Sequence, residues 1–296
     1  MRIIKIGGSS VTYKHQDIGP PYFGNEMART YRIREDVIAS IGRTLKKHLA
    51  QGLILVHGGG THGHRTVARW RSGIVKGPPQ RMAWEVRWRM DQLSDGISRV
   101  LGRSGVPVTP IRPSDIMVSN GGSIKEFDLR AVKDCLSRGC VPMLRGDLVP
   151  DVSGGWSVVS GDTMMFEICK GSVKGDLPPV DNVIMCMEKE GFMKDYGTAD
   201  QELIRVVDPD LFHERLGDWS SAMMSHGSAG DVSGGVLSKV RWCHRMSSLG
   251  IEVRMIGSDL GRSLDAALQG ADAGTLFPPR QGPEDCIEGR CAERRT

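Results

Sequence analysis

Lys5-Ile6-Gly7-Gly8-Ser9, with Thr12 and Lys14 just beyond, sets two bare glycines between two lysines. Glycine lets backbone N–H groups come close to an anion, and lysine supplies the countercharge. The stretch VHGGGTHGHRTV, residues 56–67, then places Gly58, Gly59, Gly60 and Gly63 among His57, His62 and His64. A third element is Gly146-Asp147 followed by Ser160-Gly161-Asp162. A fourth is Asp231-Val232-Ser233-Gly234-Gly235, with Lys239 four residues on. If a helix opens near Gly234, its free N–H groups face an anion, and Lys239 one turn in reaches the same one. The chemistry such residues suit is phosphate binding and phosphoryl transfer. Each cluster also has a plain reading as a glycine-rich turn with surface charge, and none is a Walker A loop. The three imidazoles raise a metal site, but glycine separates them and no carboxylate or cysteine lies nearby, so no metal ligand is assigned.

Elements that could position these clusters are visible in the hydrophobic pattern. Short β-rich runs at residues 3–6, 52–56, 106–111, 141–144, 183–187 and 251–256 alternate with helical patterns at 32–49, 82–101, 129–136 and 237–246. That alternation predicts βαβ units and an α/β fold with a mostly parallel sheet covered on both faces. In such sheets ligands sit beyond the carboxyl ends of the strands, which is where Gly7–Ser9 and residues 57–63 fall. On the long helix, Met82, Val86, Met90, Leu93 and Ile97 recur along one face, and for most of them core packing is the ordinary role. Trp84 and Trp88 form a separate stripe that suits either a dimer contact or further core. The segment after Phe277, rich in Pro, Gly and charge, reads as a disordered tail.

Composition sets outer bounds. A chain of 296 residues with 39 % hydrophobic residues can fill a real core. No apolar run approaches the roughly 20 residues a membrane helix needs, so no membrane partner is expected. The opening MRIIKIGGSS begins in strand-like sequence, which leaves no room for a signal peptide. Seven scattered cysteines without a CxxC pair suggest reduced thiols in a cytoplasmic protein. A net charge of +4 suits a small anionic substrate and is too weak to argue for nucleic acid.

The ordered set KxGGSxxTxK, HGGGxxGH, GD, SGD, DxxGGxxxK and a terminal Gly274-Thr275 resembles the amino acid kinase superfamily. Within it the likeness is to isopentenyl phosphate kinases, on the Gly63-His64 ending of the second cluster. Trp84-Glu85-Val86, Met90, Pro113-Ser114 and VPMLRGDLVPD add to it. The resemblance implies an open αβα sandwich, a homodimer, and ATP with Mg²⁺ as cofactors. It divides the chain into an acceptor lobe, 1–165, a nucleotide lobe, 166–277, and the tail, 278–296. By position, Lys5, Gly7, Gly8 and Ser9 would meet the ATP phosphates, joined by Gly60, Gly234 and Lys239. Lys14 would stabilise the transferring phosphoryl group, and Asp162 would orient the lysines. Gly59, Gly60, Gly63, His64 and Gly161 would hold the acceptor's phosphate, and Val86 and Met90 would wall its isoprenoid tail. His57 and His62 read as structural.

Departures from the family pattern fall near the nucleotide. Met187-Glu188-Lys189-Glu190-Gly191 stands where the family carries Thr-Asp-Val-Asp-Gly, so Glu188, Glu190 and Gly191 take the nucleoside positions. Thr163 replaces a second aspartate after SGD, and His62 stands where an aromatic residue is common. The leading expectation is ATP-dependent phosphorylation of isopentenyl phosphate to isopentenyl diphosphate. The alternatives are a fosfomycin-type phosphonate kinase and a catalytically weak nucleotide-binding regulatory protein.

Overall fold

A computed structural model describes residues 1–13, 32–187, 189–195, 199–208, 212, 232–257 and 261–280. From the N-terminus, β1 (Arg2–Ile6) leads into the single turn α1 (Gly8–Val11), then α2 (Glu35–Lys46) and β2 (Leu53–His57). A π-helical turn, Thr61–Arg65, continues into α3 (Thr66–Arg71) and the long α4 (Pro79–Arg103). Next come β3 (Val108–Pro110), α5 (Pro113–Ile116), β4 (Met117–Asn120), β5 (Ser123–Phe127), α6 (Arg130–Ser137) and β6 (Val141–Arg145). The hairpin β7 (Asp147–Pro150) and β8 (Trp156–Val159) precedes α7 (Gly161–Val173) and β9 (Asn182–Cys186). After β10 (Met193–Lys194) and β11 (Glu202–Leu203), α8 (Val232–Ser247), β12 (Glu252–Ile256), α9 (Arg262–Leu268) and β13 (Thr275–Phe277) complete the described elements.

The main sheet runs β13-β12-β9-β1-β2-β6-β3. All neighbours in it are parallel except β13, which pairs antiparallel with β12 at one edge. Alternation along each strand splits the core in two. Ile3, Ile54, Val56, Val183 and Val253 pack on Met164, Ile168 and Cys169 of α7 and on Val240 and Cys243 of α8. Ile4, Leu53, Leu55, Ile184 and Ile256 face the other way, onto Ile38 and Leu45 of α2, Leu93 and Ile97 of α4, and Leu264 of α9. The result is an α/β/α sandwich with a mostly parallel sheet, as the sequence pattern predicts. Strands buried on both faces explain why their sequences are continuous apolar runs.

Several elements differ from the sequence expectation. The run at 106–111 is a strand only over Val108–Pro110, at the sheet edge, where a proline without an N–H is tolerated. Helix α7 was not among the expected helices. Its sequence, GDTMMFEICKGSV, is apolar on several faces because it lies between the sheet and α8, so it lacks the one-sided pattern of a surface helix. The hairpins β4–β5 and β7–β8 were also not anticipated. The first turns through Gly121 and Gly122, both at positive φ (56° and 84°), which suits a tight hairpin. In the expected tail, residues 278–280 are described, and Arg280 N donates to the Ser247 carbonyl at 3.0 Å. The remainder lies outside the described residues.

The β7–β8 hairpin is tied down at both ends. Arg87 of α4 donates through Nε and Nη2 to the Leu148 carbonyl (3.1 and 3.0 Å), with its guanidinium 4.2 Å from the Trp156 ring centroid. At the turn, Asp151 accepts from Ser119 Oγ (2.9 Å), Gly121 N (3.0 Å), Gly122 N (3.1 Å) and Ser153 N (2.9 Å). Hydrogen bonds from the Ser153 and Ser157 hydroxyls, followed by the Gly122 N–H, hold its carboxyl far below the ordinary carboxylate range. A depressed folded-state value stabilises the fold above the unfolded value, about 3.9, and that contribution fades as pH falls further. Asp151→Asn should therefore unfold at lower denaturant than the parent at pH 7. The gap between the two midpoints should close as both are titrated below about pH 4. Denaturant melts over that range check it, and a gap independent of pH would contradict the assignment.

Candidate active site

The first two glycine clusters leave adjacent parallel strands and press against each other. Gly7 N donates to the Cys186 carbonyl (3.1 Å) and Gly58 N to the Ile6 carbonyl (3.0 Å), so each loop starts from a fixed strand end. A Cβ on Gly8 would lie 2.1 Å from Gly60 N, and one on Gly58 would lie 2.7 Å from Gly8 N. Backbone-to-backbone contact this close excludes any side chain. Gly60 also has φ of +47°, and Thr12 closes the joint, its Oγ1 donating to the Gly8 carbonyl at 2.8 Å. The glycines thus let two loops interlock.

Charge is concentrated where α7 begins. Ser160 caps the helix, accepting from Thr163 N at 3.0 Å, which sets Asp162 in its first turn. Asp162 Oδ1 accepts from Lys5 Nζ in a buried pair, and its Oδ2 lies 3.9 Å from Lys239 Nζ of α8. Burial alone would raise the Asp162 carboxyl. The Lys5 and Lys239 ammoniums, the Lys5 hydrogen bond and His64 outweigh it and hold the group below the ordinary range. Two ammoniums share one ionised carboxylate, which leaves net positive charge facing the cavity.

That cavity, about 1270 Å³, runs past both loops. Lys5, Gly7, Gly8, Ser9, Gly59, Gly60, Gly63, His64, Val86, Met90, Gly161, Asp162 and Lys239 all line it. Part of its lining is apolar: Val67 of α3, Val86 and Met90 of α4 and Leu148 of β7 pack together, and Val159 of β8 lines it too. Met90 Sδ sits directly under the second cluster, 3.1 Å from where a Cβ on Gly63 would be. His64 is exposed towards the cavity, whereas His57 and His62 are buried. Burial lowers the His57 pKa to about 3, with the Gly58 carbonyl opposing it and Arg145 and His62 reinforcing it. The ring is therefore neutral, which suits a structural role.

Other expected site residues fall elsewhere. Glu190 and Gly191 do not line the cavity. Glu190 packs against Gly257 and Gly274 and Gly191 against Thr275, whose Oγ1 accepts from Phe192 N at 2.8 Å, so the terminal Gly-Thr motif braces this loop. Gly234 falls in the first turn of α8. Lys14 and Glu188 lie outside the described residues. Trp84 is 56 % exposed and stacks on Trp88 with centroids 5.7 Å apart, which removes further core as its role. Val67, Leu148, Val158, Val159 and Arg71 line the cavity without having been singled out. Three of them sit on the unanticipated hairpin, so the signal that could have found them was the Gly-Gly turn spacing around residues 147–159. Among the described residues no group of three His, Cys, Asp or Glu side chains is placed to hold a metal ion.

Strand-end glycine loops, a paired lysine–aspartate–lysine set and an α/β/α sandwich define a phosphate-handling enzyme scaffold. The amino acid kinase family model matches residues 1–257, and the chain belongs to that family. It is 26 % identical over 245 residues to the isopentenyl phosphate kinase of Methanocaldococcus jannaschii, covering 81 % of this chain and 85 % of that one. To the isopentenyl phosphate kinase of Methanothermobacter thermautotrophicus it is 25 % identical over 283 residues, 92 % and 96 % of the two chains. A solved structure described as isopentenyl phosphate kinase shares the fold with a TM-score of 0.71 at 21 % identity, over 93 % of this chain and 99 % of that one.

The buried pair makes a direct test. Asp162→Asn keeps the shape but leaves Lys5 buried without its countercharge, a change that costs about 3–5 kcal/mol in comparable sites. Denaturant unfolding without nucleotide should show a loss of that order. A loss below about 1 kcal/mol would mean that Lys5 is neutralised by something other than Asp162.

Proposed function

We propose that this chain transfers the terminal phosphoryl group of ATP to isopentenyl phosphate, releasing isopentenyl diphosphate and ADP. The observation that carries the reading is one cavity that joins a cationic, glycine-lined end to an apolar pocket beside His64. An acceptor that is already a phosphate monoester is largely ionised near neutral pH. Its oxygen can attack the terminal phosphorus without a general base, so the site needs positioning and charge neutralisation. The residues facing the cavity have that character. The sole carboxylate among the assigned catalytic residues, Asp162, is already engaged by two lysines.

In this reading Lys5 and Lys239, set by Asp162, hold the ATP phosphates together with Gly7, Gly8 and Ser9. Lys14 follows the phosphoryl group as it moves. Gly59, Gly60, Gly63 and His64 grip the acceptor phosphate, with Gly161 beside them. Val86 and Met90, with Val67, Leu148 and Val159, bury the hydrocarbon tail. Magnesium, entering on the nucleotide, would neutralise phosphate oxygens and be held largely by them and by water. Glu188, Glu190 and Gly191 would approach the nucleoside. The division into an acceptor lobe, 1–165, and a nucleotide lobe, 166–277, belongs to the same reading, as do a homodimer and a cytoplasmic setting. The apolar wall speaks against a small polar phosphonate as acceptor. The retained Lys5–Asp162–Lys239 set speaks against a regulatory protein, which has no need of it.

Purified protein with ATP and magnesium should form diphosphate product from isopentenyl phosphate and leave fosfomycin unchanged. The reverse result would replace the acceptor. Lys14→Ala should lower kcat by roughly 10²-fold or more, the scale for losing one preorganised charge donor. His64→Ala should raise KM for the acceptor and leave KM for ATP nearly unchanged. Effects of both variants on ATP alone would reverse the assigned ends of the cavity.

Tail length offers an independent readout. Val86→Ala or Met90→Ala opens apolar volume, and each further buried CH₂ of a longer prenyl phosphate gains about 0.8 kcal/mol. The ratio of kcat/KM for geranyl over isopentenyl phosphate should rise in both variants. An unchanged ratio would make these side chains core alone.

A further inference from the structure

Arg145, the last residue of β6, is buried beneath the acceptor end of the cavity, with 2 % of its surface exposed. Its Nη1 donates to Asp91 Oδ1 (2.7 Å) and Ser94 Oγ (3.2 Å), and its Nη2 to Asp147 Oδ2 (3.4 Å). Ser94 Oγ lies 2.8 Å from His57 Nε2, and His57 Nδ1 lies 3.1 Å from the Gly58 carbonyl. In the neutral ring Nδ1–H donates to that carbonyl and Nε2 accepts the Ser94 hydroxyl proton, for which the Met90 carbonyl, 3.0 Å from the same oxygen, competes. Asp147 Oδ1 accepts from Leu148 N at 2.8 Å. Asp91 also accepts from Arg112 Nε at 2.9 Å, so two guanidiniums balance two carboxylates.

The ends of this chain of contacts matter most. Gly58 and Leu148 both line the cavity, one on the glycine-loop side and one on the apolar wall. Asp91 and Ser94 both sit on α4, within one turn of Met90, which lines it too. Burying a guanidinium is costly, and an apolar side chain of similar length would fill the space without that cost. A buried arginine with three separate partners is better suited to fixing geometry than to adding stability.

We propose that Arg145 is a positioning residue for the acceptor. It ties the phosphate-side loop at Gly58 to α4 and, alongside Arg87, the tail-side wall at Leu148 to the same helix, so that the two ends of the acceptor pocket keep a set separation. The proposal rests on the kinase reading above. Phosphoryl transfer depends on placement, and a displacement of about 1 Å can cost roughly 10²-fold in rate. A joint that holds both ends of the acceptor is where such a displacement would originate.

Two variants test it. Ser94→Ala removes the joint to His57 without stranding a charge. Arg145→Lys keeps the charge but loses the fork that reaches three partners. Both should raise KM for isopentenyl phosphate by roughly tenfold or more, with KM for ATP unchanged. Arg145→Lys should keep a near-parental Tm. Equal changes in both KM values, a fall in Tm with neither KM altered, or full recovery of the acceptor KM by lysine would each overturn the proposal. If the parent ignores isopentenyl phosphate and phosphorylates another monophosphate, the acceptor assignment fails, and the same comparison on that monophosphate decides the role of Arg145. If nothing is phosphorylated, the ¹⁵N shifts of the His57 ring, compared between parent and Ser94→Ala without any acceptor, decide whether the joint exists. Identical shifts would overturn it.

Discussion

The interior pairing of Lys5 with Asp162 is the constraint on which the site depends. It joins the end of the central strand β1 to the first turn of α7, and Lys239 brings α8 to the same carboxylate. An ion pair taken out of water gains little net stability, and well-packed apolar residues commonly do as well. Its presence in this position therefore has to be explained by what it faces. With two ammoniums set on one carboxylate, the trio offers a fixed surplus of positive charge at the end of a cavity lined by glycines. Electrostatic groups already in place before the substrate arrives need no reorganisation during the reaction, which is where such arrangements gain their catalytic effect.

Parallel strand order makes that placement possible. Because β1 lies between β2 and β9, the loops that follow β1 and β2 leave the sheet side by side. They are close enough that Gly8 and Gly58 could carry no side chain. Close packing of the loops and display of backbone N–H groups are two demands met by the same residue type. A glycine in this motif is consequently constrained by the fold even where no ligand touches it.

Part of this is legible in the sequence, because the first two glycine clusters each follow an apolar run and the runs alternate with helical periods. The parallel sheet follows from those two patterns, whereas the meeting of Lys5, Gly8, Gly60, His64, Asp162 and Lys239 at one cavity is what the resemblance to amino acid kinases implies. The apolar wall was legible only in part. Val86 and Met90 declared themselves by helical spacing, whereas Leu148, Val158 and Val159 come from a hairpin whose short strands read as irregular sequence around a GD motif. Helix α7 was hidden by its burial on more than one side, which erases the periodicity that marks a surface helix. Arg145 was hidden for another reason. Its partners Asp91 and Ser94 are 54 and 51 residues away in the chain, and nothing in local spacing announces a contact of that range.

The loop at Glu190 and Gly191 shows how a family pattern can shift in sequence while its scaffold persists. Glu190 and Gly191 stand where the pattern carries aspartate and glycine, and a longer acidic side chain loses more rotamer freedom when it is fixed. Yet the loop is still braced from below. Gly257 and Gly274 admit Glu190 backbone so closely that a Cβ on either would collide with it, at 2.6 Å from Glu190 Cα and 2.9 Å from its carbonyl oxygen. Thr275 Oγ1 then holds Phe192 N just beyond. The backbone path is thus set by Gly257 just after β12 and by Gly274 and Thr275 where β13 begins, independently of which acidic side chain the loop displays. Such a loop can exchange aspartate for glutamate without disturbing Lys5 and Lys239, which are anchored separately through Asp162 on α7.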